Sequence, residues 1–340
     1  MATVGDMNLT LADVSRRLDP EGKVDKVVEL LNQNHEVLED MNFLECNDGT
    51  NHKTTVRTGI PEATWRLLYG GIASTKSTTK QVVDGCGMLE ALPKIDVDVI
   101  DKSGDPKGAL LSEHLPHLEG MRQQLESTLF YGDTSIYPER FMGLHPRYLY
   151  YCRASEDDAY SDFNVLNGGG EGADNTSIWL INWADTSCTG LYPKGSKAGL
   201  NHENLGKKLT TAYNDSGAPE GDYMAYVTHY KWDVGLSVRD WRAVGRICNI
   251  DYSNLASGSG AADLIELMIR LNERVEGSGR RAWYMHPSVR TALRLQMLDK
   301  TNVNLTFDTV EGRKVLHFDE IPVRMSKKIL LTESALTQAS

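Results

Sequence analysis

No pair of cysteines in this chain is spaced C-x-x-C, and the five present, Cys46, Cys86, Cys152, Cys188 and Cys248, are an odd number. That spacing offers neither a disulfide framework nor a metal knuckle, and it predicts reduced, packed thiols in a cytosolic setting. A G-x-S-x-G nucleophile elbow and an H-E-x-x-H helix are also missing, so the commonest hydrolase and metalloprotease signatures do not apply. No run approaches the ~18 apolar residues of a membrane-spanning helix. The opening MATVGDMNLTLADVSRRLD has no basic region followed by an apolar core and a small-residue cleavage site, so neither signal-directed export nor a membrane span is expected. Positive charge is short as well: 36 basic residues face 47 acidic ones, a net charge of −11. A surface that tracks phosphates is therefore not expected to dominate, and sequence-specific DNA binding falls away.

What is present is enough for a folded protein of two or three modules: 340 residues, 40% hydrophobic and 24% charged. The organising stretch is Leu125 to Tyr148, LESTLFYGDTSIYPERFMGLHPRY. Reading backwards from Phe130, the residues Leu129, Leu125, Met121 and Leu118 recur at three- and four-residue steps, which predicts a helix with one buried stripe over Lys107 to Asp133. Pro116 and Gly120 are expected to kink it or to mark a fresh start. Gly132-Asp133 ends it, Pro138 turns the chain, Phe141 to Leu144 re-enters the core and His145-Pro146 turns it again. Glu113, His114, His117 and Glu119 invite a metal-site reading, but neighbouring charges on one exposed helix face explain them more simply.

Before that helix, Val24, Val27, Val28, Leu31, His35 and Leu38 mark one face of a helix from about Val24 to Asp40, behind Pro20-Glu21-Gly22. Asn47 to Gly87 is different in kind, being Thr- and Gly-rich with few large apolar residues. Lys53 to Thr58 and Thr78 to Val83 have strand composition, and Pro61 to Ser74 forms a distal connection between them. Two strands alone are marginal in water. The sizeable apolar cluster of this excursion is Trp65, Leu67, Leu68, Tyr69 and Ile72. Ile95 to Ile100 alternates and is read as a strand.

Two glycine-rich stretches are decoys. Gly168 to Ala173 can be forced onto a dinucleotide pattern, but Thr176 to Trp183 after it reads as a strand, so no helix N-terminus waits for a pyrophosphate. Gly190 to Gly195 has phosphate-loop spacing, yet Ser196-Lys197 reverses the required order and Pro193 removes an amide donor. Further on, Tyr223 to Trp232 and Arg239 to Ile250 read as strands joined across Asp233 to Leu236, a long antiparallel pair. His229, Trp232 and Trp241 are packing residues in that setting. Leu264, Leu267, Met268 and Leu271 predict an amphipathic helix, Arg280 to Met285 a strand, and Pro287 starts a helix carrying Val289, Leu293, Leu295 and Met297. Val303 to Asp308, Lys314 to Phe318 and Ile321 to Leu331 add strands.

Four stretches in order carry a family resemblance: the segment LFYGD…PERFMGLHPR, Trp232 to Asp251, the tail Phe318 to Arg324 before Thr332-Glu333, and the proline-containing loop before residue 88. Together they resemble major capsid proteins of tailed bacteriophages. The resemblance implies an α+β capsid-shell fold: an N-terminal arm (1–46), an extended β-hairpin loop (47–88), a peripheral domain with a spine helix on a long antiparallel sheet (89–260), and an axial domain with closing strands (261–340). It implies a structural subunit, not an enzyme, with no catalytic residue, cofactor or metal. That subunit would self-assemble through hexamers and pentamers into an icosahedral head enclosing double-stranded DNA without sequence-specific binding. Scaffolding, portal and cement proteins would be partners, and assembly in the bacterial host cytoplasm would deliver the chain to the virion, with no membrane involved. The extended loop would lie on the adjacent subunit, with Trp65, Leu67, Leu68, Tyr69 and Ile72 as its inter-subunit contacts. Some such capsids crosslink lysine to asparagine through this loop, which draws attention to Lys76 and Lys80; no acid partner can be assigned to them. The alternatives are a phage-derived nanocompartment shell and a cytosolic nucleotide-using enzyme.

Overall fold

The computed structural model describes residues 35–102, 105–152, 160–213, 218–257, 262–299, 305–310 and 313–339. The predicted helix from Val24 falls mostly outside them; its described end is α1 (Glu36–Asp40). There follow β1 (Phe43–Glu45), β2 (Asn51–Gly59), β3 (Thr78–Ala91) and β4 (Lys94–Asp96). The last is shorter than expected, because Asp96 accepts a hydrogen bond from the Asp98 amide and caps α2 (Val97–Asp101), which buries Val99 and Ile100. The alternation of Ile95 to Ile100 is therefore a strand end followed by one helical turn, not a strand throughout. A capping aspartate decides it, since it offers the backbone a partner that a sheet does not.

The predicted long helix is α3 (Pro106–Tyr131). Asp105 accepts from the Gly108 amide at 3.1 Å and Pro106 occupies the first turn, a favourable start. The helix runs through Pro116 and Gly120 without a break. Met121, Leu125, Leu129 and Phe130 are buried as the stripe requires, whereas Leu118 is half-buried. The helix stops where Gly132 and Gly143 bring two backbones together, with the Gly143 amide donating to the Gly132 carbonyl at 2.8 Å. A Cβ on Gly143 would lie 2.6 Å from the Thr128 carbonyl oxygen, so only glycine fits there. Phe141 and Leu144 do re-enter the core.

The remaining elements are β5 (Val165–Asn167), β6 (Asn175–Trp183), β7 (Cys188–Tyr192), β8 (Asn201–Tyr213), β9 (Pro219–Val238), β10 (Val244–Asp251), α4 (Tyr252–Ser257), α5 (Leu264–Arg274), β11 (Arg280–Met285), α6 (Pro287–Asp299), β12 (Leu305–Val310), β13 (Arg313–Phe318) and β14 (Ile321–Met325). Two compact units result. One gathers Met88–Leu125 and Gly199–Asp233; the other gathers Asn34–Gly87, Glu126–Ala198 and Val234–Ser340.

In the first unit β8 and β9 form a long antiparallel ribbon, from Asn201 opposite Lys231 to Tyr213 opposite Pro219, and β4 pairs with β9 on its other side. Ile95, Ile100 and Ala109 close a small core with Leu110 and Tyr226. This corrects the expected pairing. Asp233 to Leu236 is not a connection but the interior of β9, whose long partner is β8; β10 pairs instead with β5 and β6. Strand composition located β9 and β10, but composition says nothing of partners. β8 (NHENLGKKLTTAY) escaped notice because it is mostly polar and largely exposed, without the apolar alternation of a half-buried strand.

The second unit is built on β6, buried along its whole length between antiparallel neighbours β11 and β10. β14 adds parallel to β11, and β13 and β12 follow antiparallel. α5, capped by Asp263 on the Glu266 amide, lays Leu264, Met268 and Leu271 on this sheet beside Val289 and Leu293 of α6. Leu295, expected on the buried face of α6, is exposed. Arg246 and Glu333 form an internal ion pair: Arg246 donates to Glu333 at 2.8 Å, to Ser177 Oγ at 3.0 Å and to the Tyr148 carbonyl at 2.9 Å, and its guanidinium covers the Trp179 ring. Tyr131 donates to the other Glu333 oxygen. Each of the three guanidinium nitrogens has an acceptor, which helps the pair tolerate being away from water.

Candidate assembly interface

β2 and β3 are the two strands predicted in the Thr/Gly-rich excursion, paired antiparallel from Asn51 opposite Gly85 to Gly59 opposite Thr78 with one irregularity after Arg57. Most of their side chains are exposed. Residues 60–77 connect them, and the hydrogen bonds holding this connection together are few: Gly70 amide to Leu67 carbonyl at 3.0 Å, Thr75 hydroxyl to Glu62 carbonyl at 3.3 Å, and Arg66 to the Gly70 carbonyl. Tyr69 sits at φ +66°, a left-handed conformation uncommon for a non-glycine residue.

The five predicted contact residues all lie on this connection and all face solvent. Trp65 is 101% exposed, Leu68 88% and Tyr69 104%, with Leu67 and Ile72 also exposed. An aromatic side chain can bury ~150–250 Å², so leaving two of them with three aliphatic neighbours in water is unfavourable for an isolated subunit. Lys76 and Lys80 are exposed too.

The root of the ribbon is the opposite: polar, buried and tightly bonded. Arg147, in the turn after α3, donates to Asp84 Oδ1 at 2.8 Å, and Ser237 donates to Asp84 Oδ2 at 2.8 Å. The same guanidinium reaches the Leu236 and Gly143 carbonyls. Across the ribbon, Arg239 lies 2.7 Å from His52 Nε2. Burial, and then the Arg239 charge, hold the His52 pKa below its ordinary value, so the ring is a neutral acceptor. Gly235 lets the chains approach: a Cβ there would lie 2.8 Å from the Gly85 carbonyl oxygen. The arrangement is a rigid anchor carrying an unsupported apolar tip. Sequence reasoning found the tip and missed the anchor. The clustered glycines Gly85, Gly87 and Gly235 were its one available signal.

The metal reading of α3 finds no support in the geometry. His114 Nδ1 and the Tyr230 hydroxyl are 3.0 Å apart with the rings edge to face, and Glu119 accepts from Gln123 one turn on. Among the described residues no group of three His, Cys, Asp or Glu side chains could hold an ion, and no helix is long and apolar enough to cross a membrane. Of the two glycine-rich decoys, Gly168 to Ala173 lies in the loop following β5, whereas Gly190 to Gly195 begins inside β7 and only its second half, Pro193 to Gly195, lies in the loop after that strand.

The sequence matches the protein family described as Major capsid protein GP7 over residues 19–337. The chain belongs to that major capsid protein family. A chain of the near-atomic structure of bacteriophage epsilon15 is 33% identical to this capsid protein, with 99% of each chain covered and a TM-score of 0.77. The mixed α+β architecture is thus that of a phage capsid-shell subunit, and a virion component is what the chain is. A chain from the capsid of the native GTA particle covers 68% of this capsid protein and 95% of itself at 10% identity and TM-score 0.46. One from the holo encapsulin complex of Synechococcus elongatus covers 72% and 97% at 11% identity and TM-score 0.38. Both are too distant to carry an argument. No curated protein matches the chain.

Proposed function

We propose that this capsid protein self-assembles, through pentamers and hexamers, into the icosahedral head of a tailed bacteriophage that encloses double-stranded DNA, and that the loop of residues 47–88 is seated on the adjacent subunit. The observation that carries the second part is the contrast within β2 and β3, a bonded root and a tip whose Trp65, Leu68 and Tyr69 are fully in water. An excursion of this composition has too little apolar surface of its own to offset an ordering cost of ~1–2 kcal/mol per residue, so a neighbour must supply the rest. Groove-to-loop contacts of this sort are heterologous, and rings follow when the rotation closes.

The reading extends to the other parts of the chain. Residues 1–46 serve as an arm, 89–260 as a peripheral domain and 261–340 as an axial domain nearest the symmetry axes. A net charge of −11 suits a container whose lining must not grip phosphates. The role is structural and without catalysis, assembly takes place in the host cytoplasm, and scaffolding, portal and cement proteins are its partners. Negative-stain electron microscopy of the purified chain tests the proposal: shells or capsomer rings are expected, and a monodisperse monomer under all assembly conditions would overturn it.

A further inference from the structure

Two cysteines bracket the extended loop in sequence, and the fold brings them into contact. Cys46 directly follows β1, which pairs parallel with β7 of the second unit, and its own amide donates to the Tyr192 carbonyl at 2.9 Å. Cys86 lies 40 positions later on the returning strand β3, its amide donating to the Thr50 carbonyl at 3.0 Å. Both backbones are therefore held in place, and their Sγ atoms are 3.4 Å apart. A disulfide needs ~2.05 Å, so closing the bond takes a shift of under two ångströms between the sulfurs.

We infer that Cys46 and Cys86 are a covalent closure site, forming a disulfide that locks the root of the extended loop when the shell meets a disulfide oxidant. Cys188 and Cys248 lack this arrangement. Both are buried, with their thiols pushed up to about 12 by that burial, and neither has a sulfur neighbour among the described contacts. Of the bracketing pair, Cys46 is buried and its thiol is likewise raised by burial, while Cys86 is partly exposed. Cys86 thus meets the reagent first.

The chemistry balances with a small-molecule disulfide, RSSR. The Cys86 thiolate attacks one sulfur of RSSR, forming a mixed disulfide and expelling RS⁻; the Cys46 thiolate then attacks Cys86 Sγ, forming the Cys46–Cys86 bond and expelling the second RS⁻. Each RS⁻ takes the proton lost by a cysteine. RSSR is reduced to two RSH, and the two thiols are oxidised to one disulfide. In a reducing compartment the pair stays open, and in an oxidising one it closes. Closure ties β3 covalently to the segment paired with β7, so the excursion becomes a ring fixed at its base whatever happens at its tip.

The experiment uses the full-length chain, reduced, then incubated with oxidised glutathione, alkylated and digested without reduction for mass spectrometry. The expected product is a crosslinked species joining the Cys46 and Cys86 peptides within one chain. Cys46→Ser is expected to stop at a glutathione adduct on Cys86, and Cys86→Ser to give no product at Cys46. A chain nicked by trypsin at Arg66 should migrate as one band in non-reducing gels and as two after reduction. A persistent glutathione adduct on wild-type Cys86 without the crosslink, both thiols remaining alkylatable, or bonds only between chains would each overturn the inference.

Discussion

Arg147 and Asp84 are joined at 2.8 Å with both side chains largely withdrawn from water, 18% and 5% exposed. Asp84 belongs to the strand returning from the extended loop and Arg147 to the turn after α3, so this pair fixes where the loop leaves the body of its unit. Removing one member of such a pair leaves the other charge buried without its partner, at a cost of ~3–5 kcal/mol when burial is complete. Asp84→Ala is expected to lower the stability of unassembled subunits by about 2–4 kcal/mol, somewhat less than that limit because Arg147 keeps its carbonyl partners. Denaturant midpoints of wild type and variant check this; an unchanged midpoint would mean the loop root is not anchored through Asp84.

The buried stripe of α3 makes a second prediction. Leu125 and Leu129 are almost wholly inaccessible, so Leu129→Asp places an unpaired carboxylate in an apolar interior and Leu129→Ala opens a cavity. The first should abolish soluble product, and the second should cost about 2–5 kcal/mol. Thermal melts of the alanine variant give the number.

Acid should weaken the subunit. Burial, reinforced by the Arg246 charge, pushes His145 down to about 4. The unfolded chain takes up this proton near 6.5 and the folded chain does not until about pH 4. The contribution is therefore fully present above 6.5 and is lost as pH falls through that window, by at most ~1.4 kcal/mol per pH unit. Denaturant midpoints compared at neutral and mildly acid pH should drop for wild type and drop less for His145→Gln. His52, His114 and His286, also lowered by burial, add to the slope that remains.

Several of these features were readable in advance and others were not, for physical reasons. The stripe of α3, the α5 helix, β11 and the β2–β3 excursion were legible because each is declared by local periodicity or composition. The α2 turn hid because Ile95 to Ile100 satisfies two periods at once, and a cap three atoms long chose between them. β8 hid because its ladder is made by backbone alone. The pairing of β9 with β8, the Arg246–Glu333 pair and the Asp84–Arg147 anchor join residues 63 or more positions apart or partners without side-chain signature. Only the fold brings them together. The loop tip, by contrast, was legible as an apolar cluster stranded in a polar segment.

That cluster gives the assembly prediction. Trp65→Ala and Leu68→Ser remove surface that is exposed in the subunit, so folding should be unaffected while shell formation suffers. If Trp65 and Leu68 act as interface anchors, each truncation costs ~2 kcal/mol or more per contact. Because a shell repeats the contact in every subunit, sedimentation should show a shift from shells to free capsomers. Normal shells from both variants would remove these residues from the interface.

The most direct measurement is limited proteolysis of the loop in the two assembly states. Arg57, Arg66, Lys76 and Lys80 place trypsin sites along an excursion whose tip stands in water in the isolated subunit. Free subunits should be cut within residues 57–80 and shells should resist at the same sites. Equal protection in both states would show that the loop packs on its own chain, and equal cleavage in both would show that no neighbour covers it; either result contradicts the account.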